Sequence, residues 1–339
     1  MKICICGGGH LGHVCAGVLA SQDEIELNIL SRNSSVWSNT IKIVDIYLRE
    51  YYGKVNLITS NPEDAIKGAD IILLCLPGYA IEETLRSIKP YLKQNQLVGS
   101  IVSSTGFFFI AHEVLGTDAK LFGFQRVPYI ARLTEYGRSA ELLGYKDQLK
   151  VAVENISNRN DFRKTIEKIF ITPTILLNNF YEACLTNSNP ILHTGRLYSM
   201  WKDWDGEIFD RNILFYKEWT DEASEIIIAM DREFNLLLDK LDVDKQNIPS
   251  LLDYYESTDI SSLTIKIRSI PAFQNIPSPM KKIEGGWVPD FGSRYFTEDF
   301  PFGLKYIKDL VSENGIAAPV ISTVYSWGIE KSNINIDLI

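Results

Sequence analysis

A glycine turn close to the amino terminus constrains the fold of this chain more than any other feature. Residues 2–6, Lys-Ile-Cys-Ile-Cys, have the length and character of a short buried strand. Gly7-Gly8-Gly9-His10-Leu11-Gly12 follows at once, and Ala16-Gly17-Val18-Leu19-Ala20 continues as a helix. A second apolar strand, residues 26–30, closes a strand, turn, helix, strand unit of about thirty residues. In such a unit Gly7 permits the turn, Gly9 lets the backbone approach a pyrophosphate, and Gly12 lets the helix pack on the strand. His10 and Leu11 open the helix, whose positive end faces the diphosphate. The pattern is that of a dinucleotide-binding fold.

The residue that closes the second strand reads the adenine ribose: a carboxylate favours a free 2′-hydroxyl, an arginine a 2′-phosphate. Here Ser31-Arg32-Asn33 stands at that place. Ser31 and Arg32 can bind the extra phosphate and no acid repels it, so NADP(H) is the preferred cofactor and NAD(H) the second candidate. Arg32 stacking on adenine, or pointing into solvent, is the competing reading.

Further along, residues 71–77 form a continuous apolar run ending in Leu76-Pro77, the texture of a strand covered on both faces, and its carboxyl end faces the cofactor. A helix over 81–92 and strands over 97–103, 121–124 and 148–153 continue the alternation. The fold class is therefore α/β, a Rossmann-type doubly wound sheet, followed by a mostly α-helical second domain. Helical spacing over 181–192, 212–241, 263–270 and 302–311 defines that second half. The division is placed at 1–175 for nucleotide binding and 176–339 for the helical domain.

Composition excludes several classes. With 45% hydrophobic and 23% charged residues the chain reads as globular. A formal net charge of -9 without any basic run leaves no electrostatic footprint for nucleic acid. No signal-peptide pattern opens the sequence, and the apolar runs are too short to cross a bilayer, so no membrane association and a cytoplasmic location are expected. Cys4, Cys6, Cys15, Cys75 and Cys184 lie in apolar segments without metal-ligand spacing, so they are read as buried thiols and no metal is expected. A monomer or homodimer acting on small molecules fits this profile.

Two places outside the glycine turn gather polar chemistry. His193 ends Asn189-Pro190-Ile191-Leu192-His193, where proline interrupts an apolar helix and can turn the imidazole into a cleft. A histidine there serves proton transfer or is simply a satisfied core residue. Residues 285–301 frame Arg294 and Asp299 with glycines, prolines and aromatics. Arg294 can clamp a carboxylate and Asp299 can orient an imidazole; equally, Asp299 can cap the following helix while Arg294 pairs with Glu298 or Asp290.

These segments together resemble the octopine/nopaline (opine) dehydrogenase family. The resemblance rests on Gly7 to Gly12, on Asn189 to His193, on Trp204-Asp205-Gly206, and above all on Pro289-Asp290-Phe291-Gly292-Ser293-Arg294-Tyr295-Phe296-Thr297-Glu298-Asp299. It implies reduction of an imine formed between an amino acid's amine and a 2-oxo acid, with hydride from the nicotinamide. By that resemblance His193 is the acid/base, Asp299 its partner and Arg294 a carboxylate ligand. Trp201, Trp204 and Trp287 wall the substrate pocket or simply fill the core. The chain departs from the family at Thr194, where many relatives carry proline. It departs again at Ser104, a position associated with the oxo-acid carboxylate that is glutamine in octopine-forming relatives, and at Gln125-Arg126, which are Glu-Thr there. Losing an acid and gaining Arg126 favours an acidic over a basic amino substrate. A ketopantoate-type or 2-hydroxyacid reductase, and a non-catalytic dinucleotide sensor, are the alternative readings; the first lacks its usual interdomain lysine here.

Overall fold

In the computed structural model, which describes residues 1–332, the chain forms two compact units, Met1–Cys184 and a second that begins at Leu185. The first is built around β1 (Lys2–Cys6), α1 (His10–Leu19) and β2 (Glu26–Leu30). Its main sheet has eight strands in the order Thr174–Leu176, Leu149–Glu154, Leu121–Phe124, Leu97–Ser100, Ile71–Leu74, β1, β2, Leu57–Thr59. All neighbours are parallel except Leu149–Glu154 against Leu121–Phe124. Ile71–Leu74 is buried at every position, as a parallel strand covered on both faces requires. The chain grows outward from β1 through β2, then returns to the other side of β1 with Ile71–Leu74. That reversal makes the carboxyl ends of these two strands the switch point where such sheets bind ligands.

A second, four-stranded sheet, in the order Glu50–Lys54, Thr40–Asp45, Ser139–Tyr145, Tyr129–Glu135, was not expected from the sequence. Thr40–Asp45 buries only alternate residues, so it lacks the continuous apolar run by which the main-sheet strands are recognised. At its end Asp45 accepts bonds from the Tyr145 hydroxyl (2.7 Å), the Arg49 side chain (2.7 Å) and the amides of Tyr47 and Arg49. Burial pushes the Asp45 carboxyl up, but these donors outweigh it and hold it down at about 2.

Among the described residues the second unit is helical apart from a hairpin, Met280–Ile283 with Gly286–Pro289, in keeping with the mostly α-helical domain expected. The hairpin turns on Gly285 and Gly286, both at positive φ, inside a segment whose glycines had marked only a loop. The helix expected over 212–241 is confined to Asp221–Leu238. Its start is fixed by the Thr220 hydroxyl, which accepts the Ala223 amide at 3.2 Å, and Leu214 ahead of it bridges to Pro277 instead. Glu233 on this helix caps another, Pro319–Ser332, by accepting the Val320 and Ile321 amides at 2.9 and 2.8 Å. Over 181–192 a helix interrupted at Pro190 was expected. The structure has a short helix, Tyr181–Cys184, and then a π-helical turn, Ser188–His193. Pro190 has no amide hydrogen for an α ladder, and the Leu192 amide reaches back five residues to the Asn187 carbonyl. All five cysteines are free and buried, and no described helix is long and apolar enough to cross a membrane.

Candidate active site

At the switch point each glycine of the first turn has a physical task. Gly7 sits at φ +124°, and a Cβ there would stand 2.4 Å from the Cys75 carbonyl oxygen. A Cβ on Gly12 would meet the Gly7 carbonyl oxygen at 2.6 Å, whereas one on Gly9 would meet nothing within 4 Å. The turn is thus closed on its protein side and open above Gly9, where α1 begins without a side-chain cap. A diphosphate fits that opening and the free amides at the helix start. His13 braces the turn from below: its Nδ1–H donates to the Gly9 carbonyl (2.9 Å) and its Nε2 accepts the Gly137 amide (2.7 Å). Burial pushes this imidazole below its usual range and keeps it neutral, stacked on Trp37 with centroids 4.1 Å apart.

The other residues expected to bind the cofactor lie on the elements that surround this opening. His10 is exposed and Leu11 half-buried on the first turn of α1, while the half-buried Leu76 and Pro77 follow Ile71–Leu74 beside Gly7. Ser31 is buried with its hydroxyl 3.5 Å from that of Tyr136, and Arg32 is exposed without an ion pair among the described residues. Ser104 is half-buried in the 3-10 turn Ser103–Thr105, beyond the carboxyl end of Leu97–Ser100. Past Leu121–Phe124, the Gln125 side chain donates to the Glu182 carbonyl at 2.8 Å, and Arg126 is exposed. His112, expected on a helix surface, is half-buried and bonded to Glu154 at 2.6 Å.

In the second unit two helical irregularities face each other. His193 is the last residue of the π-turn Ser188–His193, and Asp299 immediately precedes a second π-turn, Phe300–Leu304. The turns pack through Gly303, where a Cβ would come within 3.0 Å of the Pro190 ring. This packing brings His193 Nδ1 to 2.8 Å from Asp299 Oδ2, with both side chains mostly buried. A carboxylate only accepts, so Nδ1 carries the proton and Nε2 is left to exchange one. Thr194, where proline is common, donates its hydroxyl to the Pro190 carbonyl at 2.5 Å and ties the π-turn together by a bond instead of a ring.

Two residues beside His193 were not singled out from the sequence. The Tyr216 hydroxyl lies 2.9 Å from Nε2, and the Tyr295 ring packs on the imidazole with centroids 4.9 Å apart. Tyr216 falls in a segment read as regular helix, and no spacing pointed to it. Tyr295 stood inside the matched stretch but counted there only as a framing aromatic. Arg294, next to Tyr295, is exposed at the start of Arg294–Thr297 and pairs with neither Glu298 nor Asp290. Asp299 makes no side-chain cap bond; its carboxylate goes to His193 instead. Trp204 donates to the Glu207 carbonyl at 2.8 Å and packs on Phe291, within an aromatic cluster that includes Trp201 and Phe296.

Residues 176–331 match the family described as NAD/NADP octopine/nopaline dehydrogenase, alpha-helical domain. This part of the chain is the helical domain of the octopine/nopaline dehydrogenase family. Residues 2–104 match a second description, NADP oxidoreductase coenzyme F420-dependent, in the part that holds the glycine turn. Among similar proteins, an opine dehydrogenase of Haliotis discus hannai is 29% identical over 96% of this chain and 89% of that one. An octopine dehydrogenase of Mizuhopecten yessoensis is 28% identical over 98% and 90%. A solved octopine dehydrogenase with NADH and L-arginine superposes with a TM-score of 0.88 at 26% identity, covering 98% of this chain and 90% of that one. The Rossmann-like first unit and helical second unit are the architecture of this family.

Proposed function

We propose that this member of the family is a nicotinamide-dependent opine dehydrogenase that reductively condenses a 2-oxo acid with the amine of an amino acid. The observation that carries the reading is the His193–Asp299 pair at 2.8 Å, with Arg294 exposed at the start of the short helix Arg294–Thr297 that precedes the second π-turn. When bound, the reduced nicotinamide supplies the hydride for the imine carbon. The chain's own residues do the rest. The α1 amides and the opening above Gly9 hold the diphosphate, and Leu76 and Pro77 border it. Arg294 takes a substrate carboxylate in two parallel bonds. His193 supplies the proton with which the carbinolamine oxygen leaves as water, and Asp299 balances the imidazolium before that transfer.

The exposed Arg32 at the end of β2, with no carboxylate beside it, supports NADP(H) over NAD(H). Gln125 and the exposed Arg126 support an acidic amino substrate over arginine. Loss of reduced-cofactor absorbance, followed with NADPH and NADH over a grid of 2-oxo acids and amino acids, tests the whole reading. Turnover that requires both substrates is expected. Turnover with an oxo acid alone would make the enzyme a hydroxyacid reductase, and cofactor binding without turnover on the grid would favour a sensor.

A further inference from the structure

The proton-exchanging nitrogen of His193 is already engaged. Nε2 has a single in-plane lone pair, and the Tyr216 hydroxyl lies on it at 2.9 Å. Neither ring is free to leave. The Tyr216 ring is 6% exposed, stacked on Phe273 (centroids 4.2 Å apart, planes 20° apart) and parallel to Trp219. Phe215 meets both rings edge-on, Tyr295 packs on the imidazole, and Asp299 holds Nδ1. Nε2 is the sole hydrogen-bond acceptor that the described residues offer the Tyr216 hydroxyl.

We propose that Tyr216 is the proton relay of this site: what His193 gives up at Nε2 reaches the substrate through the Tyr216 oxygen. The proposal rests on the reading of His193 as the acid of imine formation. In the reductive direction the Tyr216 O–H proton passes to the carbinolamine hydroxyl as its C–O bond breaks. That electron pair leaves with water, and the amine lone pair forms the C=N bond. In the same step the Nε2 proton moves to the Tyr216 oxygen, so the phenol is regenerated and the imidazole becomes neutral. His193 then recovers its proton from solvent. Burial, with Tyr295, Tyr255 and Asp299 nearby, pushes the Tyr216 phenol well above the usual tyrosine range, so it enters each cycle protonated. Asp231, on the helix packed against the π-turn, is occupied by the Asn187 side chain and the Leu251 amide.

Tyr216→Phe keeps the ring stack and removes only the relay oxygen. The expected result is a fall in kcat of roughly 10²-fold or more, as for loss of the acid itself, with cofactor affinity and both KM values nearly unchanged. The double variant with His193→Asn should be no slower than either single variant, because both interrupt one path. Turnover of Tyr216→Phe within a few-fold of the parent, or losses that multiply in the double variant, would overturn the relay. A second readout is independent of turnover: ¹⁵N imidazole resonances, with His193 identified by its absence in His193→Asn. The parent should show Nδ1 protonated and Nε2 accepting a hydrogen bond. In Tyr216→Phe the Nε2 resonance should move, because the hydroxyl that donates to the neutral ring is gone. An unmoved Nε2 overturns the proposal even if no substrate pair turns over, whereas a moved Nε2 in a protein without turnover upholds the hydrogen bond and counts against the dehydrogenase reading.

Discussion

At the scale of single residues the proposed roles divide into moving protons and recognising charge. His193→Asn should lower turnover by roughly 10²- to 10⁴-fold while leaving NADPH affinity within a factor of two or so, measured by fluorescence titration. A parallel loss of cofactor binding would show that the imidazole serves structure instead. Arg32→Ala should weaken NADPH by roughly 10- to 100-fold, the value of about 1.5–3 kcal/mol for hydrogen bonds to a charged group, and leave NADH nearly unaffected. Equal losses for both cofactors would assign Arg32 to adenine stacking. Arg294 and Asp299 were visible in the sequence because they sit in a stretch of unusual composition. The choice between their site and helix-cap readings was not, since that depends on where the imidazole lies, over a hundred positions away in the chain. Tyr216 was invisible for the same reason: its identity as a partner comes from the aromatic packing of Phe215, Trp219 and Phe273, which no local pattern encodes.

At the scale of elements, close packing decides what can be changed. Gly303→Ala would press a methyl group to 3.0 Å from the Pro190 ring and wedge apart the two turns that hold the acid pair. Overpacking of this kind costs about 1–3 kcal/mol, so the variant should fold, melt a few degrees lower and lose kcat disproportionately, as thermal denaturation and steady-state kinetics would show. Normal turnover would mean that the turns accommodate the methyl group without moving His193. Six of the main-sheet strands were legible because strands buried on both faces must be continuous apolar runs, as Ile71–Leu74 is, whereas the short edge strands Leu57–Thr59 and Thr174–Leu176 lack such a run and were missed. The smaller sheet was missed because a strand with one wet face, such as Thr40–Asp45, offers only weak alternation. The helix at 212–241 was over-long because helical spacing of apolar residues continues through Phe215, Tyr216 and Trp219, where the backbone is turn and irregular structure ahead of Asp221–Leu238.

At the scale of the whole molecule, charge and ligand binding set stability. The folded Asp45 carboxyl, at about 2, lies below its value of about 3.9 in an unfolded chain. Its contribution is therefore complete above about pH 4 and is lost as pH falls toward 2. Asp45→Asn should remove ~2 kcal/mol at neutral pH and flatten the acid limb of the stability curve over that window, with urea titrations at several pH values as the check. An unchanged acid limb would show that other carboxylates govern acid unfolding. NADPH at a hundred times its dissociation constant should stabilise the unit that binds it by about 2.7 kcal/mol, visible as an upward shift in a calorimetric transition. The two π-turns bear on how such a chain can change over generations. Each contains one residue more than an α-helix would need, so removing a residue from either would restore a smoother and intrinsically more stable helix. It would also rotate everything on one side by about 100° and aim His193 away from Asp299. A one-residue deletion there is thus a change that stability would reward and that only selection for turnover can oppose, so the length of these two segments should persist in descendants even where their side chains drift.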